Sequence, residues 1–387
     1  MTRIRTLVLV LAGGAGGRLE LLTRKRAKPA VPFAGTHRLI DFPLSNCLNA
    51  GLADVWVAQQ FNPISLSDHL ANGRPWDLDR TTGGLLILQP RLGHDDREGF
   101  QMGTADSLWR NAPLIREFDP QALVVLSADA VYTLDYGALV EEHVQAGAAV
   151  TMVTTEVDPG DAGRYGVVQA DGERIESYVY KPDEPATNLI ATEVFVFAPR
   201  SLWDVLEDLA DDDDLDDLGD GLLPRLVGDG GARQSRFDGY WRDVGTVEAY
   251  HAAHMDLVAD EPPLDLDDRA WPILTKAPTT RASARVRAGA EVADSLLGPG
   301  ATVAGRVDRS VIGREAVVES GATVIESVLL PGAVVRSGAT VVRAVLDDHV
   351  EVRGTVGEPG GEIALVGLGA AVTGAVPAGG RYPEDPD

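Results

Sequence analysis

Between Val286 and Val352 one short unit recurs: Gly289-Ala-Glu-Val, Gly300-Ala-Thr-Val, Gly321-Ala-Thr-Val, Gly332-Ala-Val-Val and Gly338-Ala-Thr-Val. Isoleucine or valine at 312, 318 and 324, followed by Leu330, falls at intervals of six. That spacing marks a parallel β-helix, in which each coil turns three flat faces and repeated aliphatic residues stack inside. An antiparallel β-sandwich would instead alternate with period two and turn about every eight to twelve residues.

The rest of the 387 residues has a different rhythm. At about 150 residues per domain the length fits two or three domains. The first two-thirds alternate apolar runs with helical segments, as a mostly parallel sheet covered by helices does, so this part reads as α/β. Strands are expected over Thr6–Leu11, Asp54–Ala58, Ala122–Ser127 and Ala148–Thr154. Helices are expected over Pro43–Ala50, capped by Asp41 and stopped by Gly51, over Thr104–Ile115 and over Asp135–Ala146. From Tyr165 to Phe197 the pattern turns strand-rich, suggesting antiparallel additions that could wall a substrate pocket. The acidic run Glu207–Asp220 reads as a solvated loop or helix end, because like charges repel and stay in water. A Pro- and Asp-rich stretch, EPPLDLDDRAWPILT, reads as a connector. The expected domains are 1–255, a connector at 256–281, and a β-helix at 282–387 ending in a flexible tail.

Thirty-four basic against 59 acidic residues give a net charge of −25, which opposes binding of nucleic acid or an anionic membrane by the surface as a whole. A polyanionic substrate would need a local basic pocket. Cys47 is the single cysteine, so an intrachain disulfide is impossible and a reducing cytoplasmic setting fits. The apolar TLVLVLAGG run is too short for a signal peptide, and no stretch is long enough to span a membrane.

The first strand runs into LAGGAGGRL, where Gly13, Gly14 and Gly16 let backbone approach a phosphate and Arg18 adds a fixed positive charge. Neither a Walker A loop nor a dinucleotide fingerprint matches, and an ordinary tight turn is the competing reading. Downstream, Arg24, Lys25, Arg26 and Lys28 supply the local basic pocket, unless they form a solvated turn. Asp129 follows a buried strand at the edge where an open α/β sheet places its ligands. Asp243 sits in YWRDVGT, and two such carboxylates can converge on one Mg²⁺, although each could equally cap a helix or form a turn.

The motifs LAGGAGGRL, TRKRAKPAVPFAGTHRLIDFPLSNCLNAG, GTADSLWRN, YKP, DLGDGLLP and YWRDVGTVEAY occur in the order found in bacterial glucose-1-phosphate adenylyltransferases, and nearly the whole chain resembles that family. The resemblance implies a Rossmann-like nucleotidyltransferase domain followed by a left-handed parallel β-helix, and usually a homotetramer. It implies ATP and glucose 1-phosphate as substrates, Mg²⁺ as cofactor and ADP-glucose as product for α-glucan synthesis. Carried over residue by residue, Arg18, Lys28 and Asp129 would be catalytic, and Asp129 and Asp243 would hold the metal. Leu11, Ala12, Gly13, Gly14, Gly16, Gln60, Gln89, Gly103 and Thr104 would bind nucleotide. Gly166, Tyr180, Lys181 and Glu193 would bind the sugar phosphate. Lys25 and Arg26 match positions near an allosteric effector site.

Departures from the family fall at Ala15 and Gly17 in the loop, at Ala128 and Ala130 flanking Asp129, at Tyr180 in place of a glutamate, and at Glu193 in place of glycine. They keep open a catalytically weak regulatory paralogue, or a transferase for another sugar 1-phosphate. An acyltransferase built on the repeats would need a histidine base, for which the repeat region offers only His349.

Overall fold

In the computed structural model, residues 4–14, 16–89, 103–211, 215–276 and 282–384 are described. The N-terminal part begins with β1 (Thr6–Ala12), β2 (Pro32–Phe33), β3 (His37–Arg38), α1 (Asp41–Asn49), β4 (Asp54–Gln59), α2 (Pro63–Leu70) and β5 (Gly84–Leu88). It continues with α3 (Thr104–Phe118), β6 (Ala122–Ser127), β7 (Ala130–Tyr132), α4 (Tyr136–Ala146), β8 (Val150–Glu156), β9 (Gly166–Asp171), β10 (Arg174–Tyr180) and β11 (Leu189–Phe197). The last elements of this part are α5 (Pro199–Asp211), α6 (Leu223–Gly228), β12 (Ala232–Arg236), β13 (Trp241–Asp243) and α7 (Val247–Leu257).

Nine strands form one sheet in the order β5-β4-β1-β6-β11-β8-β12-β10-β9. The β5-β4-β1-β6 half is parallel. Its strands are continuous apolar runs because helices cover both faces: Leu7, Leu9, Leu123 and Val125 enter one core cluster with Leu108 and Ile115 of α3. Val8, Val10, Val124 and Leu126 enter a second with Leu44 of α1 and Leu139 of α4. β11 runs antiparallel to β6 and β8, and β9 and β10 pair antiparallel at the far edge. The direction of the sheet therefore changes at β6 and β11, and the carboxyl ends of β1 and β6 open beside that change.

Between Arg285 and Tyr382 the chain winds through short strands, β14 to β31, arranged as three parallel six-stranded sheets. Val303, Val318, Val335, Val352 and Val372 pair in register up one wall and are buried. The repeat unit now has a physical reading. Gly300, Gly321, Gly332 and Gly338 turn coil corners with φ between 73° and 79°, the left-handed region that glycine enters without a Cβ penalty. The following Ala is packed inside and the Val two further on fills the coil.

The β-helix docks onto the first part through one shared core: Leu19, Leu22, Phe33, Phe42, Val247 and Tyr250 pack with Val311, Val328, Leu330, Val345, Ile363 and Leu365. One expectation is corrected. Asp41 lies inside α1 rather than capping it, its carboxylate accepting from the Arg38 amide at 2.8 Å and facing His69 Nε2 at 2.5 Å. The connector is strapped to α1: Trp271 Nε1 donates to Asn46 Oδ1 and the Leu274 amide to Ser45 Oγ, at 2.8 and 2.9 Å. Regular coil continues to Tyr382, where Arg381 pairs with Glu20 of the first part.

Candidate active site

A cavity of ≈ 430 Å³ opens at the carboxyl ends of β1 and β6. Its walls include Leu11, Ala12, Gly13 and Gly14 after β1, Gln60 after β4, Gly103 and Thr104 opening α3, and Asp129 after β6. Lys28, Tyr180 and Glu193 also line it. The sheet thus gathers one rim from segments far apart in sequence, as open α/β sheets do.

At the inner end, Lys28 sits in a 3-10 turn, Lys28–Ala30. Its ammonium donates to Asp129 Oδ2 at 2.6 Å and lies 3.8 Å from Asp243 Oδ1. Asp243 is brought there by pairing of β13 with β7, which sets it opposite Ala130. Asp243 lies within β13, and among the described residues the Asp129 carboxylate is held by Lys28 and Ser127 and caps no helix. Burial works against the Lys28 charge, but Asp129 and Asp243 outweigh it and hold the ammonium above its usual range. Burial likewise opposes ionisation of Asp129, yet Lys28 and the Ser127 hydroxyl at 2.5 Å keep its carboxyl below the usual range. For Asp243, burial and then Asp129 dominate, so its carboxyl is raised. Two carboxylates that converge on one cation and repel each other are a donor set suited to a hard divalent ion. Among the described residues no group of three His, Cys, Asp or Glu could hold one; water and phosphate would complete the shell.

Arg18, exposed in the 3-10 segment Gly17–Thr23, lies near enough to act electrostatically on the same carboxylates from outside the cavity. A Cβ on Gly245 would come within 2.9 Å of Asp243 Oδ2 and 3.4 Å of Arg18 Nη2, so this glycine keeps the approach open. Gly14 is exposed, with nothing within 4 Å of where a Cβ would sit, whereas Gly16 has φ 70° and a Cβ there would strike Thr23 and Lys28. Gly16 therefore shapes the turn from beneath and is not part of the cavity wall.

Other expected residues are placed as follows. Gln89 is exposed beyond the end of β5, outside the wall. Gly166 lies behind Tyr178, whose hydroxyl would collide with a Cβ there. Lys181 folds back over the Tyr180 ring and donates to its hydroxyl at 2.6 Å. The basic cluster does not form one pocket. Lys28 enters the cavity, whereas Arg26 turns away to Asp347 at 2.7 Å and Asp348 at 3.1 Å on the β-helix; Lys25 is exposed.

Two contributions escaped the sequence reading. The end of the acidic run enters the wall at Asp217, Leu218 and Gly219, because the Thr104 amide and hydroxyl donate to Asp217 Oδ1 at 3.1 and 3.2 Å. The other is Arg164, whose Nη2 lies 3.7 Å from Asp243 Oδ2, is buried and makes no hydrogen bond to the described residues. Only the Arg-Tyr-Gly step before β9 could have signalled it.

A glycine turn, a buried lysine and a carboxylate pair thus meet at the edge of an α/β sheet. The family model for nucleotidyl transferases matches residues 7–260, and that for a GlmU-like C-terminal hexapeptide domain matches 277–358, a range that takes in most coils of the left-handed β-helix. Curated relatives named glucose-1-phosphate adenylyltransferase include that of Thermomicrobium roseum, 42% identical over 76% of this chain and 69% of the relative. That of Bacillus licheniformis is 40% identical over 79% and 80%, and that of Thermotoga sp. (strain RQ2) 40% over 82% and 76%. The chain belongs to the glucose-1-phosphate adenylyltransferase family.

Proposed function

We infer that this chain makes ADP-glucose and pyrophosphate from ATP and glucose 1-phosphate. The observation that carries the reading is the Lys28 ammonium held between Asp129 and Asp243 at the inner end of a glycine-rimmed cavity. A phosphate oxygen of glucose 1-phosphate attacks the α-phosphorus of ATP, the bond to the β-bridging oxygen breaks, and pyrophosphate leaves with that electron pair. No covalent enzyme intermediate is needed. Catalysis then consists of positioning and charge neutralisation.

In this account Gly13 and Gly14 approach the triphosphate, Lys28 holds a phosphate oxygen and Arg18 steadies the departing pyrophosphate. Asp129 and Asp243 would hold a divalent cation, Mg²⁺ in this proposal, which when bound supplies neutralisation of phosphate charge. Leu11, Ala12, Gln60, Gly103 and Thr104 bound the nucleotide half of the cavity, while Tyr180, Lys181 and Glu193 face the sugar phosphate. A cytoplasmic setting and a tetramer complete the proposal. Light scattering after size exclusion tests the assembly.

Pyrophosphate release over a panel of nucleoside triphosphates and sugar 1-phosphates tests the reaction. ATP with glucose 1-phosphate should give the highest kcat/KM; a higher value for any other pair reassigns the substrates.

A further inference from the structure

Among the described residues three carboxylates line the cavity: Asp129, Glu193 and Asp217. Asp129 is engaged by Lys28 and Ser127, and Asp217 by Thr104. Glu193 alone has no hydrogen-bond or ion-pair partner among the described residues. It also sits in backbone that disfavours it, with φ 60°, where a non-glycine residue is strained and glycine would not be. The strain coincides with a bulge in β11, where its register against β8 shifts between Ala191 and Phe195. A strained, unpartnered acid in a cavity is the pattern expected of a residue kept for its ligand.

Among the described residues Glu193 does not join Asp129 and Asp243 in a group of three metal-capable donors. Its surroundings fit a neutral polyhydroxyl ring. Tyr178, Tyr180, Phe195 and Leu218 line the same cavity and offer flat and apolar surface. The Tyr180 ring lies against Gly219, where a Cβ would come within 2.3 Å, and its hydroxyl is taken by Lys181. Tyr180 is thus a wall and a tether for the lysine, with one of its acceptor positions already occupied. A carboxylate has two oxygens able to accept from neighbouring hydroxyls, and such charged acceptors are the stronger ones.

We propose that Glu193 is the specificity-determining residue for the sugar, its carboxylate accepting hydrogen bonds from ring hydroxyls of the sugar 1-phosphate. The assignment rests on the adenylyltransferase reading above. The test compares wild type, Glu193→Gly and Glu193→Gln by pyrophosphate release, varying ATP and glucose 1-phosphate separately. Monodeoxy glucose 1-phosphates and glucosamine 1-phosphate complete the panel, and thermal melting is recorded in parallel. Glu193→Gly should melt higher than wild type while KM for glucose 1-phosphate rises about 10-fold or more. KM for ATP should stay within about twofold. At least one monodeoxy sugar that wild type discriminates against should be used by Glu193→Gly as well as the parent sugar, and Glu193→Gln should fall between. An unchanged KM for glucose 1-phosphate with unchanged discrimination overturns the assignment while leaving the reaction intact, as does an equal rise in both KM values. Wild-type preference for glucosamine 1-phosphate overturns the neutral-hydroxyl ligand. Absence of pyrophosphate release by wild type with every sugar overturns the underlying reading itself, and this assignment with it.

Discussion

Lys28 keeps its charge while buried because Asp129 and Asp243 surround it, and this balance dictates how variants should behave. Removing a charge from Asp243, whose carboxyl is already raised by burial and by Asp129, relieves repulsion. Asp243→Asn should therefore hold or raise the melting temperature while turnover falls by roughly 10²-fold or more; rate and melting measured on the same preparation check it. Arg18→Ala should lower kcat by a similar order, about 10²-fold, because the cation serves charge that develops in the transition state; steady-state pyrophosphate release checks this. Glu193 adds a pH effect. Glu193 is open to the cavity, yet desolvation by the protein around it, then Asp129 and Asp243, push its carboxyl from 4.5 up to about 7. The folded state then binds more protons than the unfolded chain across that window, so this group's stabilisation is present below about 4.5 and is lost as pH rises through about 7. Melting curves across that range should fall less steeply for Glu193→Gln than for wild type.

The glycine turn after β1 separates two roles that look alike in sequence. Gly14→Ala meets nothing within 4 Å and should leave the melting temperature unchanged while raising KM for ATP. Gly16→Ala forces a Cβ into left-handed backbone against Thr23 and Lys28, so it should cost about 1–2 kcal/mol of stability; denaturant unfolding distinguishes the pair. Elements built from local periodicity were legible in advance. β6 is found over the expected residues, and Ile312, Val318, Val324 and Leu330 are all buried in the coil, because a six-residue period admits few other arrangements. What depends on distant contacts was not legible. The acidic run reads as solvated until Thr104, more than a hundred residues earlier in the chain, supplies donors for Asp217. Arg26 and Lys28 are two residues apart yet serve different neighbours, since the turn at Lys28 sends one side chain inward and leaves the other facing the β-helix. The bulge at Glu193 has no local sequence mark once glycine is absent.

For the molecule as a whole, the β-helix acts as the other half of a core, and we propose the division into 1–255, 256–281 and 282–387 on that basis. The buried Arg26–Asp347 pair fastens the two parts, with burial pushing the Asp347 carboxyl up to about 6 despite the arginine. Arg26→Ala should cost about 3 kcal/mol by leaving that buried carboxylate with only the Asp348 amide as partner, and adding Asp347→Leu should recover most of the loss; denaturant midpoints for the three proteins test it. Ending the chain at 281 would expose Phe33, Phe42 and Val247, and should give insoluble protein. The central claim is the reaction itself. With purified wild type, ATP, glucose 1-phosphate and Mg²⁺, ADP-glucose and pyrophosphate should form in equal amounts and formation should stop on chelation of the cation. A folded protein that yields no ADP-glucose under those conditions would contradict the account.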